Sequence, residues 1–191
     1  MRGIAVIPVV MFLLAVSVAS AGGERNADAW QALRQGQAVL ILRHALAPGT
    51  GDPAHFQLGD CSTQRNLSQR GREQARAWKP LLAKHGITRA RVFTSQWCRS
   101  RDTARGMGMG KVTEWPSLNS FFGNRGAADK QTRETRSAVN ELQSGLPVIL
   151  VSHQVNITRL TGVYPSSNEG VIVRLPLSDD PVVLARVTPG P

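Results

Sequence analysis

The sequence predicts an α/β protein, a three-layer α/β/α sandwich in which helices cover both faces of a mostly parallel sheet. Short apolar runs alternate with helical segments along the chain, and this alternation is typical of parallel strands joined by helical crossovers. Residues 22–191 are long enough to form one domain with a substantial core. No internal repeat, low-complexity segment or linker divides them into two domains.

The first 21 residues are set apart by their composition. Met1-Arg2 precedes an almost wholly apolar run over residues 4–18, and Ala19-Ser20-Ala21 fits a small-residue cleavage site. These features predict a signal peptide at 1–21, a mature chain that begins at Gly22, and a secreted or periplasmic protein. The alternative is a membrane anchor, but the apolar run is shorter than the roughly 20 residues that a spanning helix needs. We therefore expect no stable membrane span after cleavage.

Helices are predicted where apolar residues recur at helical spacing next to capping residues. Trp30 and Leu33 lie three residues apart in the first helix, and Ser68 is an N-cap candidate for the second. Pro80 should kink or divide that second helix. The predicted helices are 27–34, 69–85, 99–107, 132–143 and 155–161.

Strands are predicted at short apolar runs that are bounded by turn residues. The predicted strands are 38–42, 91–94, 111–115, 148–152, 171–175 and 182–187. The last of them is an edge-strand candidate. Residues 45–67 form a long loop rich in Gly, Pro, Asp and Ser. Loops of more than about 15 residues in compact domains are usually functional or disordered.

Arginine and histidine side chains follow three of the predicted strands. Arg43-His44 ends the first strand, Arg99 comes shortly after the second, and His153 directly follows the fourth. Ligands of α/β sheets bind outside the carboxyl ends of the strands. An arginine can grip an anion there while an imidazole attacks it. The pattern therefore predicts one anion-binding site assembled from these four residues.

The chain is strongly basic, with 23 Lys and Arg against 13 Asp and Glu and a net charge of +10. Such a balance fits a nucleic acid, a membrane surface or an acidic substrate. The basic residues are scattered, and no dense basic run with interleaved aromatic residues occurs. We therefore expect no nucleic-acid partner and favour an anionic small molecule or an anionic cell-surface molecule.

The two cysteines, Cys61 and Cys98, lie close in sequence to the predicted site. An oxidising compartment permits a disulfide between them, and two free thiols are the alternative. Their spacing does not fit a zinc ribbon.

Four segments of the chain resemble motifs of the histidine phosphatase superfamily. Leu42-Arg43-His44-Ala45 is similar to the opening motif, although the family usually has glycine where Ala45 stands. Residues 66–75 resemble the "L-(T/S)-x-x-G-x-x-Q-A" helix start, and residues 94–104 resemble the "S-S-P-x-x-R-x-x-x-T-A" segment. Ser152-His153 matches the second histidine. The four segments occur in the family's order and span most of the chain.

The resemblance implies a phosphoglycerate-mutase-like fold and hydrolysis of a phosphate ester or anhydride through a phosphohistidine. His44 would be the nucleophile, and Arg43 and Arg99 would hold the phosphate oxygens. His153, expected to be protonated, would donate to another oxygen, and both histidines would contact the phosphate. The resemblance implies no cofactor and no metal. The expected partner is a phosphorylated small molecule or a phosphorylated envelope glycan.

The chain departs from the family at the general acid. The two positions that usually carry it are occupied here by Ser120 and Gln154. Glu169 is our candidate, because it would approach the site if the strand after it returns antiparallel. Asp129 and Glu114 are further candidates. A chain without a clear acid would favour good leaving groups, such as those of phosphoanhydrides or phosphohistidine.

Two other functions stay open at this point. The missing acid is compatible with a non-catalytic anion-binding module on the same fold. A mutase is the third hypothesis, but the mutase-type glutamate is absent and the usual metabolic intermediate is cytoplasmic.

Overall fold

The structure is a computed structural model that describes residues 20–143 and 145–190. The predicted signal peptide falls almost wholly outside the described residues. The helices are α1 (Ser20–Arg34), α2 (Gln69–Lys84), α3 (Cys98–Gly106), α4 (Ala128–Asn140) and α5 (Gln154–Thr161). The strands are β1 (Ala38–Arg43), β2 (Arg91–Thr94), β3 (Val112–Glu114), β4 (Val148–Ser152), β5 (Gly170–Arg174) and β6 (Val183–Val187). Short 3-10 turns lie at Cys61–Thr63, Pro116–Leu118 and Arg125–Ala127.

The six strands form one sheet in the order β3-β2-β4-β1-β5-β6. Strands β1 to β4 run parallel to one another, with Leu40 opposite Ile149 across the central β1–β4 pair. Strand β5 is antiparallel to both of its neighbours, β1 and β6. The prediction of a mostly parallel sheet is confirmed, and β6 lies at the edge as expected.

Alternate residues of the strands supply two separate apolar cores. Leu40 and Leu42 of β1 pack with Trp78 of α2 and with residues of α1 and α3 on one face. Val39 and Ile41 pack on the other face with residues of α4 and α5. Successive side chains of a strand point to opposite faces, so the continuous apolar run of β1 serves both cores. The predicted three-layer α/β/α sandwich is confirmed.

Pro80 was expected to kink or divide the second helix, and it does not divide it. Helix α2 continues to Lys84, and Ser68 caps its start by accepting a hydrogen bond from the Gly71 N–H. Pro80 is exposed. The carbonyl that loses its donor at a proline can therefore be hydrated, which keeps the helix intact. No helix of the described part of the chain is long and apolar enough to cross a membrane.

Candidate active site

A cavity of about 650 Å³ opens at the carboxyl ends of the parallel strands. Arg43 and His44 reach it from the end of β1, Arg99 from the first turn of α3, and His153 from the end of β4. All four predicted residues therefore line one cavity. Parallel strands and their following loops converge at this edge of a sheet, which is why the strand-end pattern located the site.

His44 is held in one tautomer with a free basic nitrogen. Its Nδ1 lies 2.8 Å from the carbonyl oxygen of Ala45. A carbonyl oxygen only accepts hydrogen bonds, so Nδ1 carries the proton and Nε2 bears the lone pair. The Nε–H of Arg99 donates to that Nε2 at 3.3 Å. Burial, followed by the positive charge of Arg99, lowers the pKa of His44 to about 3. The ring is therefore a neutral nucleophile at neutral pH.

Backbone hydrogen bonds fix the position of His44. Its N–H donates to the Ser152 carbonyl of β4 at 3.0 Å, and its carbonyl accepts from the N–H of Asn168 at 3.2 Å. The next N–H, that of Ala45, donates to Oγ1 of Thr103 at 2.9 Å. Strand β4, the turn before β5 and helix α3 thus hold the nucleophile through hydrogen bonds.

Helix α2 supports Leu46, the residue that follows Ala45. The Ser68 N–H donates to the Leu46 carbonyl at 3.0 Å, and the Leu46 N–H donates to Oε1 of Gln74 at 3.0 Å. Gly71 approaches so closely that a Cβ atom there would lie 2.2 Å from the Leu46 carbonyl oxygen. The Ser-x-x-Gly-x-x-Gln spacing in the sequence is therefore the docking surface for the loop behind His44.

His153 packs edge-on against His44, with their ring centroids 5.4 Å apart. The Ser95 hydroxyl accepts from the Trp97 N–H and lies 2.8 Å from Nε2 of His153. Burial, followed by the charge of Arg99, lowers the pKa of His153 well below its ordinary value. Burial and the neighbouring arginines therefore favour the neutral ring, and protonation of His153 beside a bound phosphate stays a prediction.

Three guanidinium groups face the cavity, those of Arg43, Arg65 and Arg99. Arg43 donates to the Pro165 carbonyl at 2.9 Å, while its buried Nε has no hydrogen-bond partner among the described residues. Arg65 donates through its Nε to the Gly51 carbonyl at 2.8 Å. An unpaired buried N–H costs free energy until an acceptor arrives. The cavity is thus built to receive an anion.

Two charged cavity residues, Asp52 and Arg65, were not singled out from the sequence. The Asp52 carboxylate accepts from Nη1 and Nη2 of Arg99 at 2.6 and 3.0 Å, and from Nε1 of Trp97 at 3.0 Å. The Arg65 N–H donates to the same carboxylate at 3.3 Å. The length and composition of the loop at 45–67 was the one signal that pointed toward them.

The disulfide left open by the sequence is present between Cys61 and Cys98, with Cα atoms 5.7 Å apart. Cys98 is the first residue of α3, and its N–H donates to Oε1 of Gln64 at 2.9 Å. The bridge ties the long loop to the helix turn that carries Arg99.

Glu169 approaches the site through its backbone only. Strand β5 returns antiparallel as expected, and the Glu169 carbonyl accepts from the Arg43 N–H at 3.0 Å. Its carboxylate accepts instead from Arg186 of β6 and from the Ser166 N–H. The hydrogen bond from Arg186 lowers the pKa of Glu169, which favours the charged form. Glu169 is not among the described residues that line the cavity, so this geometry does not support it as the acid.

The other acid candidates also point elsewhere. Asp129 pairs with Arg159 at 2.7 Å, and both side chains are more than half exposed. Glu114 lies 3.4 Å from Arg101. Neither lines the cavity among the residues described, whereas Ser120 and Gln154 do. The usual acid positions therefore face the cavity but carry no acid.

Aromatic side chains surround the mouth of the cavity. Phe56 stacks on Trp97 with centroids 5.0 Å apart. Phe122 and Tyr164 line the same cavity and are 50% and 69% exposed. Such exposed aromatic faces are suited to contact the non-phosphate part of a ligand. Within the described ranges, no three His, Cys, Asp or Glu residues lie close enough together to hold a metal ion.

Comparison with known proteins places this geometry in a family. The model described as "Histidine phosphatase superfamily (branch 1)" matches residues 39–136, which is more than half of the 191-residue chain. The match includes Arg43, His44 and Arg99. No protein with curated annotation matches the chain.

Several solved structures share the fold at low sequence identity. The protein histidine phosphatase SixA, complexed with tungstate, has a TM-score of 0.57 at 19% identity, covering 80% of this chain and 97% of that one. A protein named mycobacterial hydrolase 1 has a TM-score of 0.56 at 18% identity, covering 77% and 96%. The mycobacterial glucosyl-3-phosphoglycerate phosphatase has a TM-score of 0.50 at 19% identity, covering 72% and 89%. These likenesses show the fold.

Proposed function

Because the chain belongs to the histidine phosphatase superfamily, we propose that it is a phosphatase that hydrolyses a phosphate ester or anhydride through a phosphohistidine at His44. The observation that carries the proposal is the arrangement at Nε2 of His44. That atom is deprotonated, points at the Arg99 guanidinium, and lies in a cavity with an excess of positive charge.

Attack by Nε2 of His44 on phosphorus forms the N–P bond as the P–O bond to the leaving group breaks. Phosphoryl transfer develops charge on the three equatorial oxygens, and guanidinium forks hold such oxygens without reorganising. Arg99 is adjacent to the nucleophile, and the side chain of Arg43 lines the same cavity. Three arginines against one carboxylate leave two excess positive charges, which match a phosphate dianion.

His153, which packs beside His44, contacts the transferred phosphate as well. The negative charge of a bound phosphate raises the pKa of a neighbouring imidazole, so His153 gains its proton together with the substrate. The start of α5, which His153 precedes, adds the positive end of a helix dipole. Water then attacks the phosphohistidine, and inorganic phosphate leaves with His44 restored.

The proposed substrate carries its phosphate on a ring, and the envelope glycan expected from the signal peptide is such a molecule. The exposed faces of Phe122 and Tyr164 support this choice, because sugar rings stack on aromatic side chains. The Cys61–Cys98 disulfide supports the proposed secreted or periplasmic location, since such bonds persist in oxidising compartments.

The test of the proposal is phosphatase activity of residues 22–191 on para-nitrophenyl phosphate without added metal. We expect His44→Ala to abolish turnover and the labelling of the protein by radioactive phosphate, while the exposed His55→Ala keeps both. Equal activity in the wild type and His44→Ala would remove His44 as the nucleophile. If the wild type binds phosphate but neither it nor either variant hydrolyses the ester, the anion-binding module is favoured instead.

The location has its own test. A bacterial host that expresses the whole chain is fractionated, and the N-terminus of the recovered protein is read by mass spectrometry. Recovery from the periplasm with Gly22 as the first residue is the expected result. Recovery of the uncleaved chain in the cytoplasm would refute the proposed location and leave the phosphatase proposal standing.

A further inference from the structure

Asp52 is the only carboxylate that lines the cavity in the described part of the chain. It lies on the loop after β1, and its side chain is 16% exposed while that of Arg99 is 4% exposed. The carboxylate is therefore close to solvent at the cavity side and buried at the arginine side. This placement gives it access both to bulk water and to a bound substrate.

One guanidinium connects Asp52 with the nucleophile. The Nε–H of Arg99 faces Nε2 of His44 at 3.3 Å, and its Nη1 and Nη2 donate to the two Asp52 oxygens at 2.6 and 3.0 Å. The two Arg99 nitrogens that could donate to two phosphate oxygens therefore donate to the two Asp52 oxygens instead. A phosphate next to His44 competes with Asp52 for the same donors.

Two further hydrogen-bond donors hold the Asp52 carboxylate at the site when the Arg99 guanidinium no longer binds it. Nε1 of Trp97 donates to Asp52 at 3.0 Å, and the Arg65 N–H donates at 3.3 Å. Neither group is needed to bind the substrate's phosphate, so both can continue to hold the Asp52 side chain. It therefore stays at the rim of the phosphate position, on the side of Phe56 and Trp97.

Among the described residues, no carboxyl group other than that of Asp52 lines the cavity and could protonate the leaving group. An alkyl ester leaves as an alkoxide, which needs a proton in the transition state. Ser120 and Gln154 are not acids, and the Glu169 carboxylate is paired with Arg186. A carboxylic acid at the rim of the phosphate position has the chemistry and the place that this step requires.

We propose that Asp52 yields the Arg99 fork to the substrate's phosphate and then acts as the general acid for the leaving group, an inference that rests on the proposed phosphatase function. The carboxyl takes up a proton from the monoanionic ester or from water at the cavity mouth. As the P–O bond breaks and the His44–phosphorus bond forms, that proton moves to the leaving oxygen. The Asp52 carboxylate then takes a proton from the water that attacks the phosphohistidine. As inorganic phosphate leaves and Asp52 pairs with Arg99 again, the carboxyl releases that proton to the departing phosphate or to solvent.

The charges around Asp52 change in the direction that this role needs. Burial alone would raise the pKa of Asp52, but the hydrogen bonds and charge of Arg99, with the hydrogen bond from Trp97, leave that pKa lowered. A bound phosphate removes the Arg99 hydrogen bonds and places negative charge beside the carboxyl, while Arg43 and Arg65 remain positive. The pKa of Asp52 therefore rises when the substrate binds.

Leaving-group dependence tests the proposal. Turnover of a simple alkyl phosphate and of para-nitrophenyl phosphate is measured for the wild type, Asp52→Asn, Glu169→Gln and Asp129→Asn. Loss of a general acid typically costs on the order of 100-fold or more. We expect that loss for Asp52→Asn with the alkyl ester and a decrease of less than about tenfold with the aryl ester, whose leaving group needs no proton. Asp129 also pairs with an arginine but lies outside the cavity, so Asp129→Asn should keep the wild-type ratio.

Four results would overturn the proposal. An equal decrease with both esters would show that Asp52 only orients Arg99, and an equal increase would show that it only blocks the fork. A selective loss of alkyl turnover in Glu169→Gln instead of Asp52→Asn would assign the acid to Glu169. Calorimetry measures the binding of inorganic phosphate to each variant, and retained binding shows that the cavity is folded. A wild type that hydrolyses neither ester would refute the phosphatase function itself and, with it, the role of Asp52.

Discussion

The hydroxyl of Thr103 accepts the backbone N–H of Ala45 at 2.9 Å and donates its own proton to the Arg99 carbonyl at 2.7 Å. One side chain therefore joins the residue next to His44 to the residue that faces His44. This hydroxyl therefore helps to fix the position of the nucleophile relative to Arg99.

We predict that Thr103→Val lowers the free energy of unfolding by about 1–3 kcal/mol, because the buried Ala45 N–H loses its acceptor. Activity should fall as well, since the loop behind His44 is no longer tied to α3. Urea unfolding and turnover of para-nitrophenyl phosphate measure the two effects. The matched control is Thr132→Val, because Thr132 is also buried in a helix but bonds only the Ala128 carbonyl. Equal losses in the two variants would contradict the prediction.

Gly71→Ala should destabilise the protein although alanine is the better helix former. The helix propensity favours alanine by about 1 kcal/mol. The new Cβ would lie 2.2 Å from the Leu46 carbonyl oxygen, a backbone atom, and such overpacking typically costs about 1–3 kcal/mol or more. We therefore expect a lower melting temperature and a weaker affinity for phosphate, both measured by calorimetry.

The control for that variant is Gly126→Ala. The nearest heavy atom to a Cβ there is the Asn124 side-chain oxygen at 3.6 Å, so no clash arises. A melting temperature for Gly71→Ala at or above that of the wild type would show that the loop at Leu46 moves aside without cost.

His44 should make the stability of the protein depend on pH in the acidic range. Its pKa is lowered from 6.5 to about 3 by burial and by Arg99. Between those two values the unfolded chain binds a proton that the folded chain does not, so stability falls as the pH decreases from 6.5 toward 3. The contribution is at most about 1.4 kcal/mol per pH unit. Above pH 6.5 the group is neutral in both states and contributes no pH dependence.

The measurement is urea unfolding at several pH values for the wild type, His44→Asn and the exposed His55→Asn. Between pH 6.5 and 4, the free energy of unfolding should decrease less steeply for His44→Asn than for the wild type. For His55→Asn it should decrease as steeply as for the wild type. Parallel curves for the wild type and His44→Asn would mean that His44 is protonated in the folded protein.

Reduction of the Cys61–Cys98 disulfide should destabilise the fold by about 3–4 kcal/mol, as expected for a loop closed across 37 residues. The affinity for inorganic phosphate should weaken too, since the bridge joins the Asp52 loop to the turn that carries Arg99. Unfolding and phosphate titration with and without a reductant measure both effects. The variant with Cys61→Ser and Cys98→Ser should be insensitive to the reductant; a wild type that behaves the same would argue against the bridge.

The fold could be predicted because its signals are local. The apolar run of β1 and the capping Ser68 of α2 are short-range features that survive in the folded chain. Arg43, His44 and His153 could be assigned to one site because they directly follow parallel strands, whose carboxyl ends meet by geometry. Pro80 misled the prediction because its effect on a helix depends on solvent access, which a linear sequence does not give.

The rest of the site depends on contacts between distant segments. Asp52 lies in an irregular loop, and its partner Arg99 is 47 residues away in the sequence. Glu169 was expected at the site because β5 returns antiparallel, and that direction was correct. Its carboxylate is nevertheless neutralised by Arg186, a residue on β6 whose position depends on the register of the last hairpin. Neither pairing has a periodic signature in the sequence.

The loop at residues 45–67 is attached at three places: to α3 through Thr103, to α2 through Leu46, and to the start of α3 through the disulfide. A segment held in this way does not swing away as a unit. We therefore expect substrate and product to exchange through the cavity mouth beside Phe122 and Tyr164 without movement of this loop. We expect the turnover number to be limited by chemistry or by phosphate release, and not by the opening of a lid. Where chemistry is the slow step, an added viscogen should leave the turnover number unchanged.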